Sequence, residues 1–123
     1  MSIYMIADTH FFHKNIIEYE NRPFKTVEEM NEALITNWNQ TVSKLDVVYL
    51  LGDFCWKAKT NGKGILDRLN GYKVLVMGNH DSISHKTFLQ MGFDEVSKYP
   101  IILENYFILS HEPMYINLSL IHI

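Results

Sequence analysis

Three short apolar runs, each ended abruptly by a turn residue with metal-binding chemistry, constrain this chain more than any other feature. Ser2 to Ala7 (SIYMIA) stops at Asp8, Asp46 to Leu51 (DVVYLL) at Gly52-Asp53, and Lys73 to Met77 (KVLVM) at Gly78-Asn79. Runs of this length bounded by breakers read as buried strands. Helical stretches separate them. Asn15 to Glu20 reads as a short helix closed by Asn21-Arg22-Pro23. Thr26-Val27-Glu28-Glu29 is a capping box that opens a longer helix, with Val27, Met30, Leu34 and Trp38 at helical spacing. Gly64 to Leu69 reads as helix ended by Asn70-Gly71, and His85 to Met91 as helix ended by Gly92. Glu95 to Ser110 reads as two alternating stretches forming a hairpin about Glu104-Asn105. The order β-α-β-α-β-α-β-β predicts an α/β sheet with helices on its faces.

Composition narrows the classes. At 123 residues and 47% hydrophobic, the chain can bury a core and is expected to form one domain, not a disordered tail. Its net charge of −3 lacks the basic face of a nucleic-acid binder, so nucleic acid is expected only as a substrate. No apolar run is long enough to span a membrane. The start of the chain runs straight into a strand-like stretch without a signal-peptide pattern. The lone Cys55 excludes an internal disulfide framework, and the chain is expected to be cytoplasmic.

The residues just after each strand carry the chemistry. In open α/β sheets the carboxyl ends of the strands face one crevice. Asp8-Thr9-His10, Gly52-Asp53, Gly78-Asn79-His80-Asp81 and Ser110-His111 therefore converge. Asp8 and His10, two apart in an extended chain, are expected to point the same way. Asp53, with two carboxylate oxygens, can bridge two cations. Asp8 and His10 suit one ion, and Asn79 and His111 the other. Imidazole, carboxylate and amide ligands without thiolate suit Mn²⁺, Fe or Zn²⁺. His80 is placed to protonate a leaving oxygen, with Asp81 orienting its ring.

These motifs, in this order, resemble the calcineurin-like metallophosphoesterases. The wording DTHFFHKNII, NRPF and LLGDF is similar to the small bacterial and phage-type members. The resemblance implies a layered mixed β-sheet sandwich flanked by helices, holding two divalent ions: Mn²⁺ foremost, with Fe, Zn²⁺ or Ni²⁺ as alternatives. It implies Asp8, His10, Asp53, Asn79 and His111 as metal ligands, with His80 assisting leaving-group departure. The expected reaction is hydrolysis of a phosphate mono- or diester by a metal-bound hydroxide. A noncatalytic scaffold of the same fold and a nuclease are the alternatives. His13 and Arg22 are candidates for the substrate rim, against the plainer readings of a solvated histidine and an Arg22 paired with Glu18 or Glu20. Phe12 stands where relatives often carry glycine. Cys55 and Trp56 read as packing residues, and His85 as a surface residue.

One departure stands out: the family's closing GHxH motif is absent. Residues 118–123, Leu-Ser-Leu-Ile-His-Ile, can be written CTG TCT CTT ATA CAC ATC, the transposon end used in tagmentation libraries. The expectation is an incomplete domain over residues 1–117, lacking its C-terminal strands. Residues 118–123 would be translated adapter, and the truncated site would bind metal weakly and turn over little or nothing.

Overall fold

The computed structural model describes residues 1–77, 83–103 and 107–111, the last segment with only the backbone of residues 107 and 108. Four strands, β1 (Ile3–Ile6), β2 (Val47–Leu51), β3 (Tyr72–Val76) and β4 (Glu95–Ser97), form one parallel sheet in the order β1-β2-β3-β4. The connections carry α1 (Ile16–Tyr19) and α2 (Val27–Thr41), then α3 (Ala58–Leu66), then α4 (His85–Met91). Two further strands among the described residues, β5 (Ile101–Leu103) and β6 (Phe107–Leu109), pair antiparallel as a separate ribbon. The stretch read as one hairpin thus divides: its first three residues join the parallel sheet, and only the rest forms the hairpin. Pro100, lacking an N–H, stands between the two pieces. The expected α/β sheet with flanking helices is what the chain forms.

Local chemistry explains the element ends. Thr26 caps α2, its hydroxyl accepting from the Glu29 N–H at 3.1 Å. Ser84 caps α4 in the same way through the Thr87 N–H, and Gly92 at φ 135° ends that helix as expected. Helix α3 departs from expectation, starting six residues before Gly64 and ending at Leu66. Residues 67–69 continue as turns, with Arg68 and Leu69 N–H donating to Ile65 and Leu66 carbonyls. Gly62 and Gly64 both lie within the helix. Gly62 is buried against Phe54 and Met91, so its missing side chain lets α3 pack closely.

The core joins Ile35 and Trp38 of α2, Val48 and Leu50 of β2, Leu75 of β3, and Phe88 and Met91 of α4. The first strand, expected to be buried, is only half so. It lies at the sheet edge. Tyr4 and Ile6 pack on the core, while Ile3 and Met5, on the opposite face of the pleat, are 37% and 46% exposed. The apolar stripe of α2 is also rotated from the expected one: Met30, Asn31, Ile35 and Trp38 are buried, with Leu34 partly so. Among the described residues no helix is long and apolar enough to cross a membrane.

Candidate metal centre

The parallel ladder between β1 and β2 does not stop where the strands end. His10 N–H donates to the Asp53 carbonyl at 3.0 Å, Phe11 N–H to the Phe54 carbonyl at 3.0 Å, and Trp56 N–H to the Phe11 carbonyl at 2.7 Å. The buried Thr9 hydroxyl also donates to the Phe54 carbonyl, at 2.8 Å. These bonds zip the loop after β1 to the loop after β2 and set His10 beside Asp53. Ligand atoms of Asp8, His10 and Asp53 all lie within 4.8 Å of one another. His10 Nε2 stands 3.9 Å from Asp53 Oδ2.

The backbone that delivers these groups differs from the extended one expected. Asp8, His10 and Phe12 have φ of 57°, 51° and 62°, and Asp53 has 47°. This left-handed region disfavours side chains bearing Cβ. Asp8 and His10 therefore converge through left-handed backbone at both positions and not through a pleat. Such strain persists only when surrounding groups over-determine it. Arg22 is one such group: Nη2 donates to the Asp8 carbonyl at 2.9 Å and Nη1 to the Thr9 carbonyl at 3.0 Å, while Glu20 pairs with the guanidinium at 3.1 Å. Asn31 is another, its buried Oδ1 accepting the Phe12 N–H at 3.0 Å. A polar residue in the apolar stripe of α2 thus anchors the site loop.

His111, just beyond β6, reaches the same place. Its Nδ1 lies 2.8 Å from the Leu51 carbonyl, which fixes the proton on Nδ1 and turns Nε2 toward Asp53 Oδ2 at 3.3 Å. Its Nδ1 also lies 3.8 Å from Asp8 Oδ1. Gly52 makes this approach feasible. At φ 76° it adopts a glycine conformation, and a Cβ there would fall 2.5 Å from His111 Cγ.

The donor set fits divalent cations. Two donors bound to one ion at about 2.1 Å each stand about 3–4 Å apart, as the His10–Asp53 and His111–Asp53 pairs do. Asp8 and Asp53 remain open enough for ions and substrate to approach, their side chains being 51% and 28% exposed. The proposed ligand Asn79 and the catalytic candidates His80 and Asp81 lie outside the described residues.

The two rim candidates are both at the site. His13 Nδ1 lies 3.5 Å from His10 Nδ1, and burial, together with the neighbouring His10 and Arg22, holds its imidazole below the ordinary histidine value. Arg22 pairs with Glu20, as the plainer reading had it, and in addition clasps the loop backbone. Cys55 is largely shielded, and burial pushes its thiol pKa up to about 12, which keeps it protonated and unreactive. Trp56 is not the packing residue expected: it is 52% exposed, its indole stacked on the His13 ring at 4.9 Å and 6°. His85 is half-buried, its Nε2 2.9 Å from the Val96 carbonyl, so it ties α4 to β4. Neither the Arg22 clasp nor the Asn31 anchor carries a signal in sequence spacing, since both join side chains to distant backbone.

Comparison with known proteins places this geometry in a class. The model of the calcineurin-like phosphoesterase family matches residues 1–119. The chain belongs to that family, whose members hydrolyse phosphoester bonds with bound divalent metals. An uncharacterised protein of Methanocaldococcus jannaschii is 53% identical over 87 residues, which make up 68% of this chain and 49% of that protein. The gene 66 protein of Mycobacterium phage L5 is 35% identical over 78 residues, 61% of this chain and 37% of that protein. A crystal structure of a protein of unknown function from Aquifex aeolicus superposes with a TM-score of 0.73 at 35% identity, covering 92% of this chain and 62% of that one. The chain therefore spans half or less of the curated relatives it matches.

Proposed function

We propose that the protein to which this chain belongs carries out divalent-metal-dependent hydrolysis of a phosphate mono- or diester, in the cytoplasm, with Mn²⁺ the ion of first choice. The observation that carries the reading is the convergence of Asp8, His10 and Asp53 from two adjacent strand ends, in a chain of this family. Asp8 and His10 would hold one ion, Asn79 and His111 the other, and Asp53 would serve both. When bound, such ions acidify water and neutralise the nonbridging oxygens of a phosphoryl group. The protein's own part is positional. The zipped loops hold Asp8, His10 and Asp53 in place, and the Leu51 carbonyl keeps the proton of His111 on Nδ1. His80, its ring oriented by Asp81, would deliver a proton to the leaving oxygen; the GNHD motif supports that role.

The test is hydrolysis of aryl phosphate mono- and diesters with added Mn²⁺. Asp53→Ala abolishes turnover, and His80→Ala lowers it about 10²–10⁴-fold. Full activity in both variants would refute the mechanism.

A further inference from the structure

Beside the proposed metal centre lies an open cleft of about 560 Å³, lined by His10, Asp53, His13, Trp56, Lys57 and Lys59 among others. Its size is that of a small-molecule pocket, which runs to about 300–1,000 Å³. Trp56 is its unusual feature. A large aromatic ring 52% exposed contributes little to a core, yet this one is held on a fixed backbone. Its N–H donates to the Phe11 carbonyl at 2.7 Å, and its carbonyl accepts from Asn61 Nδ2 at 3.0 Å. One indole face lies flat on the His13 imidazole, so the exposed area belongs to the other face and the edge. The His13 ring in turn stands 5.4 Å from that of His10. An aromatic platform therefore runs outward from a candidate metal ligand, and Lys57 and Lys59 also line the cleft.

From this juxtaposition we infer that the substrate is a small nucleotide, its base stacked on the free face of Trp56 and its phosphoester directed to Asp8, His10 and Asp53. The inference rests on the phosphoesterase reading above. Every base presents a π-face, so stacking on an exposed indole recognises nucleobases as a class. The lysines supply positive charge for phosphate oxygens. A nucleic-acid strand would need a basic track along its backbone, and the chain carries 11 Lys and Arg against 14 Asp and Glu. The charge balance favours the small ligand.

The test compares adenosine monophosphate and its methyl ester with ribose phosphate and its methyl ester, which lack the base, in the presence of Mn²⁺. Trp56→Ala lowers kcat/KM on the adenosine compounds, relative to the ribose compounds, by about 5–150-fold, mostly through KM. Trp56→Phe, which keeps a ring, recovers most of that ratio. Independently of turnover, adenosine monophosphate quenches the tryptophan emission of the wild type, ribose phosphate does not, and Trp56→Phe loses the quench. An unchanged ratio in Trp56→Ala, or no quench by the nucleotide, overturns the inference. An oligodeoxyadenylate cleaved more efficiently than the mononucleotides overturns it in favour of a strand. Quenching without hydrolysis of any ester supports the stacking site and instead defeats the phosphoesterase reading.

Discussion

Replacing Gly52 by alanine tests how the end of β2 and His111 depend on each other. At φ 76° an alanine pays a left-handed penalty of about 1–2 kcal/mol. Its Cβ would also sit 3.0 Å from His111 Cβ, 2.5 Å from Cγ and closer still to Nδ1. The ring must leave, breaking its bond to the Leu51 carbonyl, a loss of about 0.5–1.5 kcal/mol. The combined destabilisation is about 1.5–3.5 kcal/mol. For a domain of this size that lowers the thermal midpoint by about 10 °C. Gly64→Ala is the matched control, because Gly64 lies within α3 and a Cβ there meets nothing within 4 Å. It should stabilise the protein by about 0.5–1 kcal/mol. Urea unfolding of both variants gives the comparison, and Mn²⁺ titration shows whether displacing His111 weakens the site. A Gly52→Ala protein within 0.5 kcal/mol of wild type, ~0.5 being the spread of ordinary surface changes, with unaltered Mn²⁺ affinity, would refute the reasoning.

Two further substitutions probe the supports of the site and the sheet. Arg22→Ala removes two charge-assisted bonds to the Asp8 and Thr9 carbonyls, so Mn²⁺ affinity falls by about 10–100-fold, measured by calorimetry; Arg22→Lys, without the planar fork, restores only part of it. Asp46 accepts N–H bonds from Ser2 and Ser43 at 2.8 Å each, and these hold its carboxyl below the usual aspartate range. Because the folded value is the depressed one, the stabilisation is present above the ordinary aspartate pKa and is lost as pH falls through the folded value. Asp46→Asn should therefore flatten the acid limb of a stability–pH curve, and an unchanged limb would show that this carboxylate is not linked to folding.

How far the molecule was legible in its sequence depends on the range of each interaction. The first three strands, the capping box at Thr26 and the stop at Gly92 are written in local residue pattern, and they form where the pattern puts them. The convergence of Asp8, His10 and Asp53 followed from the rule that parallel strands end at one edge. The reason for the Asp8–His10 pairing did not: left-handed backbone at both residues brings the two together, and nothing in a three-residue motif distinguishes that backbone from a pleat. The start of α3 at Ala58 was not legible because glycine is a poor helix former, and Gly62 is used instead for close packing against Met91 and Phe54. Arg22, Asn31 and Trp56 were hardest to read. Each acts on backbone or rings far along the chain, and only the fold brings those partners within reach.

The central claim is that Asp8, His10, Asp53 and His111 surround bound cations. Crystals grown with Mn²⁺ and measured at wavelengths on both sides of its absorption edge test this directly. The account predicts anomalous density within about 2.0–2.3 Å of Asp53 carboxylate oxygens and His10 Nε2, lost in Asp53→Ala crystals. Anomalous peaks away from these four side chains, or none at saturating Mn²⁺, would contradict it.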